Sequence, residues 1–538
     1  MARSKTAHLP PMEEALAAFR QHYPTFDTTH SLDELRATEY ARLDRQQQVY
    51  LDYTGGGLYA ECQLRDYMEL LRLNVFGNPH STNPASQAMT ALVDRARGYV
   101  LDYFKASPDE YVAIFTPNAT GALKLVGESY PFASDGRYLL TFDNHNSVNG
   151  IREFARAKGA SVSYVPIEPP DLRVKETHLL SSLSQAQPGQ RNLFAFPAQS
   201  NVTGVQHPLD WIALAQAQGW DVLVDCAAFV PSNRLDLSIW HPDFVPLSFY
   251  KIFGFPTGVG CLLARKSALA KLRRPWFAGG TLVFSSVIAA DATGMGFYLT
   301  PGEVGFEDGT INYLLLPAVE IGLRYIESIG IEVIHERVRC LTGWLLEHLL
   351  ALRHSNNHPV VRIYGPITTD RRGGTIAFNF FDPVGTVLDC YAMQEEANQC
   401  RLSVRSGCFC NPGVRETALG FVREELAASF RNKERMTFEQ FLHVIDDQKQ
   451  GALRVSVGLA TNFADIYRFM QFAQTFIDRR ATPSIGDETV LAPRAHRFFT
   501  RICVCGYQDN RAEKRFCPHC GRPMPAIVQP SANIGQPG

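Results

Sequence analysis

Between residues 111 and 265 the chain alternates short apolar runs with helical segments, and no other feature restricts the fold as strongly. The runs are 112–115, 138–142, 162–165, 193–196, 222–224, 245–249 and 261–264. Most are continuously apolar and too short for helices, as expected of strands buried on both faces of a sheet. Strands joined through helices predict a mostly parallel α/β sheet with right-handed crossovers. Ligands of such sheets gather at the carboxyl ends of the strands. The polar residues just past each run are therefore where chemistry is expected.

Lys251 follows the run 245–249 and precedes a loop with glycine at 254, 258 and 260. Two strands joined by that turn would hold its amine at the sheet rim, away from bulk water, favouring the neutral nucleophile. By itself a surface loop lysine is the more common reading. After 112–115 come Asn118, Ala119 and Thr120, small residues that open a helix and either cap it or cradle a phosphate. His145 follows 138–142, placed to stack on a flat ring, to move protons or to serve the structure alone. Asn201 follows 193–196 and could bond a phenolic oxygen. Asp225 ends 222–224, where a carboxylate pairs with a protonated ring nitrogen, caps a helix or joins a buried ion pair.

The combination is more specific than its parts, because each group follows an expected strand in the order 118–120, 145, 201, 225, 251. This resembles the fold-type I pyridoxal phosphate enzymes of the class V aminotransferase and cysteine desulfurase group. The resemblance implies that Lys251 forms the internal aldimine and then moves the substrate Cα proton. It implies that Asp225 holds the pyridine nitrogen, His145 stacks on the ring and Asn201 contacts the ring oxygen. Asn118, Ala119, Thr120 and Ser248 would bind the phosphate. Residues 306–310 (FEDGT) look like the segment this family sends into the neighbouring subunit's phosphate site, implying a homodimer with Thr310 shared. The stretches 50–58, 77–81, 197–204, 248–260, 306–310 and 405–413 are similar to the N-terminal domain of molybdenum cofactor sulfurases, over residues 12–478.

Cys408 and Cys410 lie in a loop bounded by glycine and proline, RSGCFCNPG, where a thiol can reach an active site and move. A thiolate there could take sulfur from cysteine as a persulfide and leave alanine. By resemblance Cys410 holds the persulfide position, with Cys408 the weaker alternative, and Arg454 takes the substrate carboxylate. Two positions depart from the desulfurase pattern. Ala228 stands where a polar residue often serves the ring oxygen, and Tyr250 replaces a histidine. Eukaryotic sulfurases continue into a second domain that binds the molybdenum cofactor, for which this chain leaves no room.

The expected organisation is a helical segment 1–48, a large cofactor-binding domain 49–330, a smaller α+β domain 331–480 and a linker 481–495. A compact module 496–525 and a disordered tail 526–538 follow. Cys503, Cys505, Cys517 and Cys520 in that module have the look of a zinc ribbon, with thiolates closing a structural Zn²⁺ site, although Cys-x-Cys replaces the usual Cys-x-x-Cys. Clustering of the twelve cysteines fits thiol and metal chemistry in a reducing cytosol better than a disulfide framework. A net charge of −2 gives nucleic acid and anionic membranes no claim as partners. No signal peptide or spanning run is present, so a cytoplasmic protein is expected. The function expected is a pyridoxal phosphate-dependent cysteine desulfurase acting on L-cysteine and passing sulfur to an acceptor protein or the molybdenum cofactor. Another class V aminotransferase, lyase or epimerase, or an inactive scaffold of the same fold, is the alternative.

Overall fold

The computed structural model describes residues 9–481 apart from 188, 294–295, 422 and 430–450, and beyond them 501–502 and 508–509. The seven runs are strands of one sheet: β1 (Tyr111–Thr116), β2 (Arg137–Thr141), β3 (Ser161–Val165), β4 (Asn192–Pro197), β5 (Trp220–Asp225), β6 (Phe244–Ser248) and β7 (Gly260–Arg265). Their order is β1-β7-β6-β5-β4-β2-β3. Neighbours run parallel except at β7, which is antiparallel to both β6 and β1. Length decides this, because a parallel return needs a crossover of about a dozen or more residues, usually a helix. Between Ser248 and Gly260 the chain forms only a short helix, α1 (Phe249–Phe253), and a glycine loop. β4, β5 and β6 are buried along their whole length, whereas β3 lies at the edge with exposed positions, which corrects the expectation of burial on both faces there.

A second sheet holds β8 (Val361–Tyr364), β9 (Thr375–Phe380), β10 (Arg405–Gly407) and β11 (Ala452–Ser456), antiparallel in the order β8-β9-β11-β10. β9 and β11 read as strands in the sequence; β8 and β10 are short and carry exposed arginines, so they do not. The N-terminal helices dock on this half of the chain. Phe19 packs on Phe463 with ring centroids 4.9 Å apart. Arg36 pairs with Asp465 at 2.6 Å and Arg337 with Asp33 at 2.8 Å. Val49–Tyr50 then pairs with Leu402–Ser403, and Asp52 bridges to Ser456. This route carries Asp52 beside the arginines of β10 and β11.

Residues through Ala481 form one compact unit and those from Thr482 another. In the second, Arg501–Ile502 pairs antiparallel with Gln508–Asp509. Cys503, Cys505, Cys517 and Cys520 lie outside the described residues. Among the described residues no cluster of three or more His, Cys, Asp or Glu could hold a metal ion, and no helix is long and apolar enough to cross a membrane.

Candidate active site

Lys251 sits on α1, one turn past the carboxyl end of β6. The glycine stretch 55–57 is laid against it: Gly57 N–H donates to Tyr250 O at 3.0 Å. Gly254 has φ +82°, and a side chain there would run into the Leu58–Tyr59 backbone, so glycine is required both for conformation and for space. Burial pushes the Lys251 amine below its ordinary 10.5, Asp225 pulls it back up, and Arg454 and Arg405 push it down. Asp225 is buried at the end of β5, with Oδ1 accepting from Ala227 N–H at 3.0 Å. His145 caps the short helix Asn146–Asn149 that follows β2. Its Nδ1 accepts from Ser147 N–H at 3.1 Å and so bears no proton. Burial holds the ring below its ordinary 6.5 despite the attraction of Asp225, leaving a neutral, flat imidazole at neutral pH.

Helix α2 (Ala119–Ser129) begins where β1 ends, with Asn118 capping Gly121 N–H at 2.9 Å. Ala119 N–H donates to Ser248 Oγ at 2.9 Å, and Thr120 Oγ1 lies 2.8 Å from Ser147 Oγ. Three hydroxyls from three strand ends thus meet at a helix N-terminus, a donor set suited to a phosphate. A side chain at Gly260 would strike the Asn118 backbone, which fixes β7 tightly behind the cradle. A phosphate cradle, a buried carboxylate, a neutral imidazole and an amine of depressed pKa fit the parts of pyridoxal phosphate.

The second half of the chain closes the site. Arg454 is buried on β11, so a surface strand arginine is excluded. Its Nη1 donates to Asn201 O at 3.0 Å and its Nη2 to Asp52 Oδ1 at 2.8 Å, while its Nε is buried with no partner among the described residues. Arg405 grips the same carboxylate at 2.6 Å. From the end of β10, Gly407 (φ +115°), Phe409 (φ +55°) and Cys410 (φ +55°) are left-handed, a costly path for two residues with side chains. It persists because both ends are held. The Phe409 ring lies 4.9 Å from the Arg454 guanidinium carbon, Cys410 O accepts from Asn146 N–H at 2.7 Å, and Asn411 starts helix α3 (Pro412–Ala418). The thiol loop is therefore pinned, contrary to the free loop expected from its glycine and proline. Cys410 is exposed and lies within electrostatic reach of Lys251 and Arg405; half-buried Cys408 lies instead within reach of Tyr391 and Arg415.

The fold thus gathers Asn118, Ala119, Thr120, His145, Asn201, Asp225, Ser248, Lys251, Cys410 and Arg454 around one rim. Thr310 is exposed, and no hydrogen bond joins it to 118–120. Its segment is fixed by Glu307, which accepts from Arg97 at 2.9 Å and from Phe115 N–H at 3.1 Å. Sequence reasoning missed Asp52, Arg405 and Asn411, although the quoted stretches 50–58 and 405–413 contain all three. Their signal is charge and amide groups inside otherwise apolar or glycine-rich stretches.

The model of the aminotransferase class-V family matches residues 49–469. The molybdenum cofactor sulfurase of Arabidopsis thaliana is 35% identical over 90% of this chain and 62% of its own length. That of Homo sapiens is 36% identical over 87% and 53%. The chain thus spans about three fifths of the first relative and half of the second. Among solved structures, a cysteine desulfurase from Thermococcus onnurineus superimposes with a TM-score of 0.68 at 22% identity, covering 83% of this chain and 98% of that one. An Escherichia coli cysteine desulfurase gives 0.64 at 21%, over 83% and 98%. At those identities the structures establish the fold.

Proposed function

The chain belongs to the class V aminotransferase family, and on that footing we propose that it is a pyridoxal phosphate-dependent cysteine desulfurase. The observation that carries the reading is the pinned Cys410 loop meeting Lys251, His145 and Arg454 at one rim. Lys251 would hold the cofactor through its amine, Asp225 its ring nitrogen, Asn201 its ring oxygen, and Asn118, Ala119, Thr120 and Ser248 its phosphate. Bound there, the group supplies a conjugated ring that takes up the electron pair released at the substrate Cα. Arg454 orients the substrate carboxylate, and its unpartnered Nε supports that role. Lys251, its amine kept toward the neutral form by burial, would take the Cα proton. Cys410 as thiolate attacks the substrate sulfur: the S–S bond forms as the Cβ–S bond breaks, the pair left on Cβ is protonated, and a proton returned to Cα from Lys251 completes alanine. The persulfide on Cys410 then passes its outer sulfur to an acceptor, a protein or the molybdenum cofactor.

The test is incubation with cysteine and pyridoxal phosphate, following alanine and sulfide. Wild type should form both, and Cys410→Ser should lose alanine release while Cys408→Ser retains it. Normal turnover in Cys410→Ser would leave another class V reaction, and absence of a visible cofactor band would leave a scaffold.

Three further parts of the reading rest on sequence. A homodimer in which Thr310 serves the neighbouring cradle follows from the similarity of 306–310. A cytoplasmic setting fits the cysteine clustering. Cys503, Cys505, Cys517 and Cys520 have spacing suited to one structural zinc, and metal analysis of the full chain, expected at about one zinc per chain, checks this.

A further inference from the structure

Asn411 has no solvent exposure, and its side-chain amide is committed at both ends. Oδ1 accepts from Val414 N–H at 3.3 Å, the cap of α3. Its NH₂ group must then face the opposite way, and it donates to Asp143 O at 2.6 Å and to Asn201 Oδ1 at 3.0 Å. This settles the second amide in turn. With its oxygen facing Asn411, Asn201 must turn its own NH₂ outward, and Nδ2 donates to Phe409 O at 2.8 Å. An amide offers two N–H donors, so one is left over from the bond to Phe409. Asn411 thereby ties three elements together: the loop carrying His145 through Asp143, the strand-end loop carrying Asn201, and the cysteine loop through Phe409. Cys410 O, accepting from Asn146 N–H, closes the ring of contacts.

We propose that Asn411 is a positioning residue for desulfuration. It holds the left-handed Cys410 loop against the strand ends, and it dictates that Asn201 presents a donor, not an acceptor, to the ring oxygen. Ala228 offers no side-chain donor, which leaves that bond to Asn201. The inference rests on the desulfurase reading for its chemistry, while the latch itself is independent of it.

Asn411→Asp separates this role from helix capping. Aspartate keeps an acceptor for Val414 N–H, being a good N-cap, but cannot donate to Asp143 or Asn201. Hydrogen exchange of the full chain without cofactor reads the latch through the Asn146 and Asn411 amides, which are bonded to Cys410 O and Cys408 O. Both should exchange roughly tenfold faster in Asn411→Asp, the scale of one or two lost hydrogen bonds. Val414 should be unchanged. With cofactor and cysteine, kcat for alanine should fall at least about tenfold with KM within about twofold, the pattern of a group displaced in the transition state. Unchanged exchange at Asn146 and Asn411 overturns the latch, and faster exchange with wild-type kcat overturns the positioning role. If wild type makes no alanine, the desulfurase reading and the positioning role fall together, and the exchange data still decide the latch. Should Asn411→Asp not fold, Asn201→Ala removes the bond to Phe409 O and the one from Asn411 while leaving the bond from Asn411 to Asp143 O, and the same rise at Asn411 is required.

Discussion

Arg454 Nη2 and Asp52 Oδ1 meet at 2.8 Å across 402 residues of chain. The other carboxylate oxygen of Asp52 is held by Arg405 at 2.6 Å. One carboxylate therefore bridges two guanidinium groups, one buried and one half exposed. Arg454 remains charged in the interior because of it, although burial still draws its pKa below the ordinary value.

Removing that carboxylate should expose the cost of the buried charge. Asp52→Asn is expected to destabilise the chain by about 3 kcal/mol, the lower end for breaking a buried pair, since Arg405 is solvated. KM for cysteine should rise as Arg454 loses its orientation. Thermal unfolding checks the first and steady-state kinetics the second; a wild-type midpoint would mean that Arg454 needs no partner.

The Lys251 amine predicts a pH dependence. Its folded pKa lies below the ordinary 10.5, so between the two values the unfolded chain binds the proton more tightly and stability rises with pH. Below the lowered value the penalty is present in full. In cofactor-free protein, the melting temperature of wild type relative to Lys251→Met should improve as pH rises from about 7 to about 10. A difference flat in pH would place the amine in water.

For His145 the linkage runs on the acid side. The folded pKa lies below 6.5, so stability is complete above the unfolded value and is lost as the pH falls beneath it. Wild type should lose melting temperature faster than His145→Gln between about pH 7 and about pH 5. Equal slopes would show an exposed, ordinary imidazole.

Gly413 opens the first turn of α3, where a Cβ would land on the Phe142 carbonyl oxygen. Gly413→Ala should cost about 1–3 kcal/mol, as overpacking does. Gly98 has no neighbour within 4 Å of such a Cβ, and it lies inside the helix Pro84–Tyr103. Gly98→Ala should instead stabilise by up to about 1 kcal/mol through helix propensity. Two melting curves decide the contrast.

Much of this protein is written locally. Apolar runs and the helices between them made the parallel sheet legible, because burial on both faces leaves a continuous apolar signature. The order of Asn118, His145, Asn201, Asp225 and Lys251 past the strand ends points to a cofactor site from the sequence alone. Even the antiparallel β7 was implicit in a connection too short to cross the sheet. What the sequence did not determine is which distant groups meet. Asp52 lies about 350 residues from Arg405 and about 400 from Arg454, and local periodicity carries no information over such separations. The pinned cysteine loop was likewise hidden. Glycine and proline around Cys408 and Cys410 signal freedom locally, but Asn146, Asn201 and Asn411 remove it by hydrogen bonds that exist only once both halves of the chain have packed.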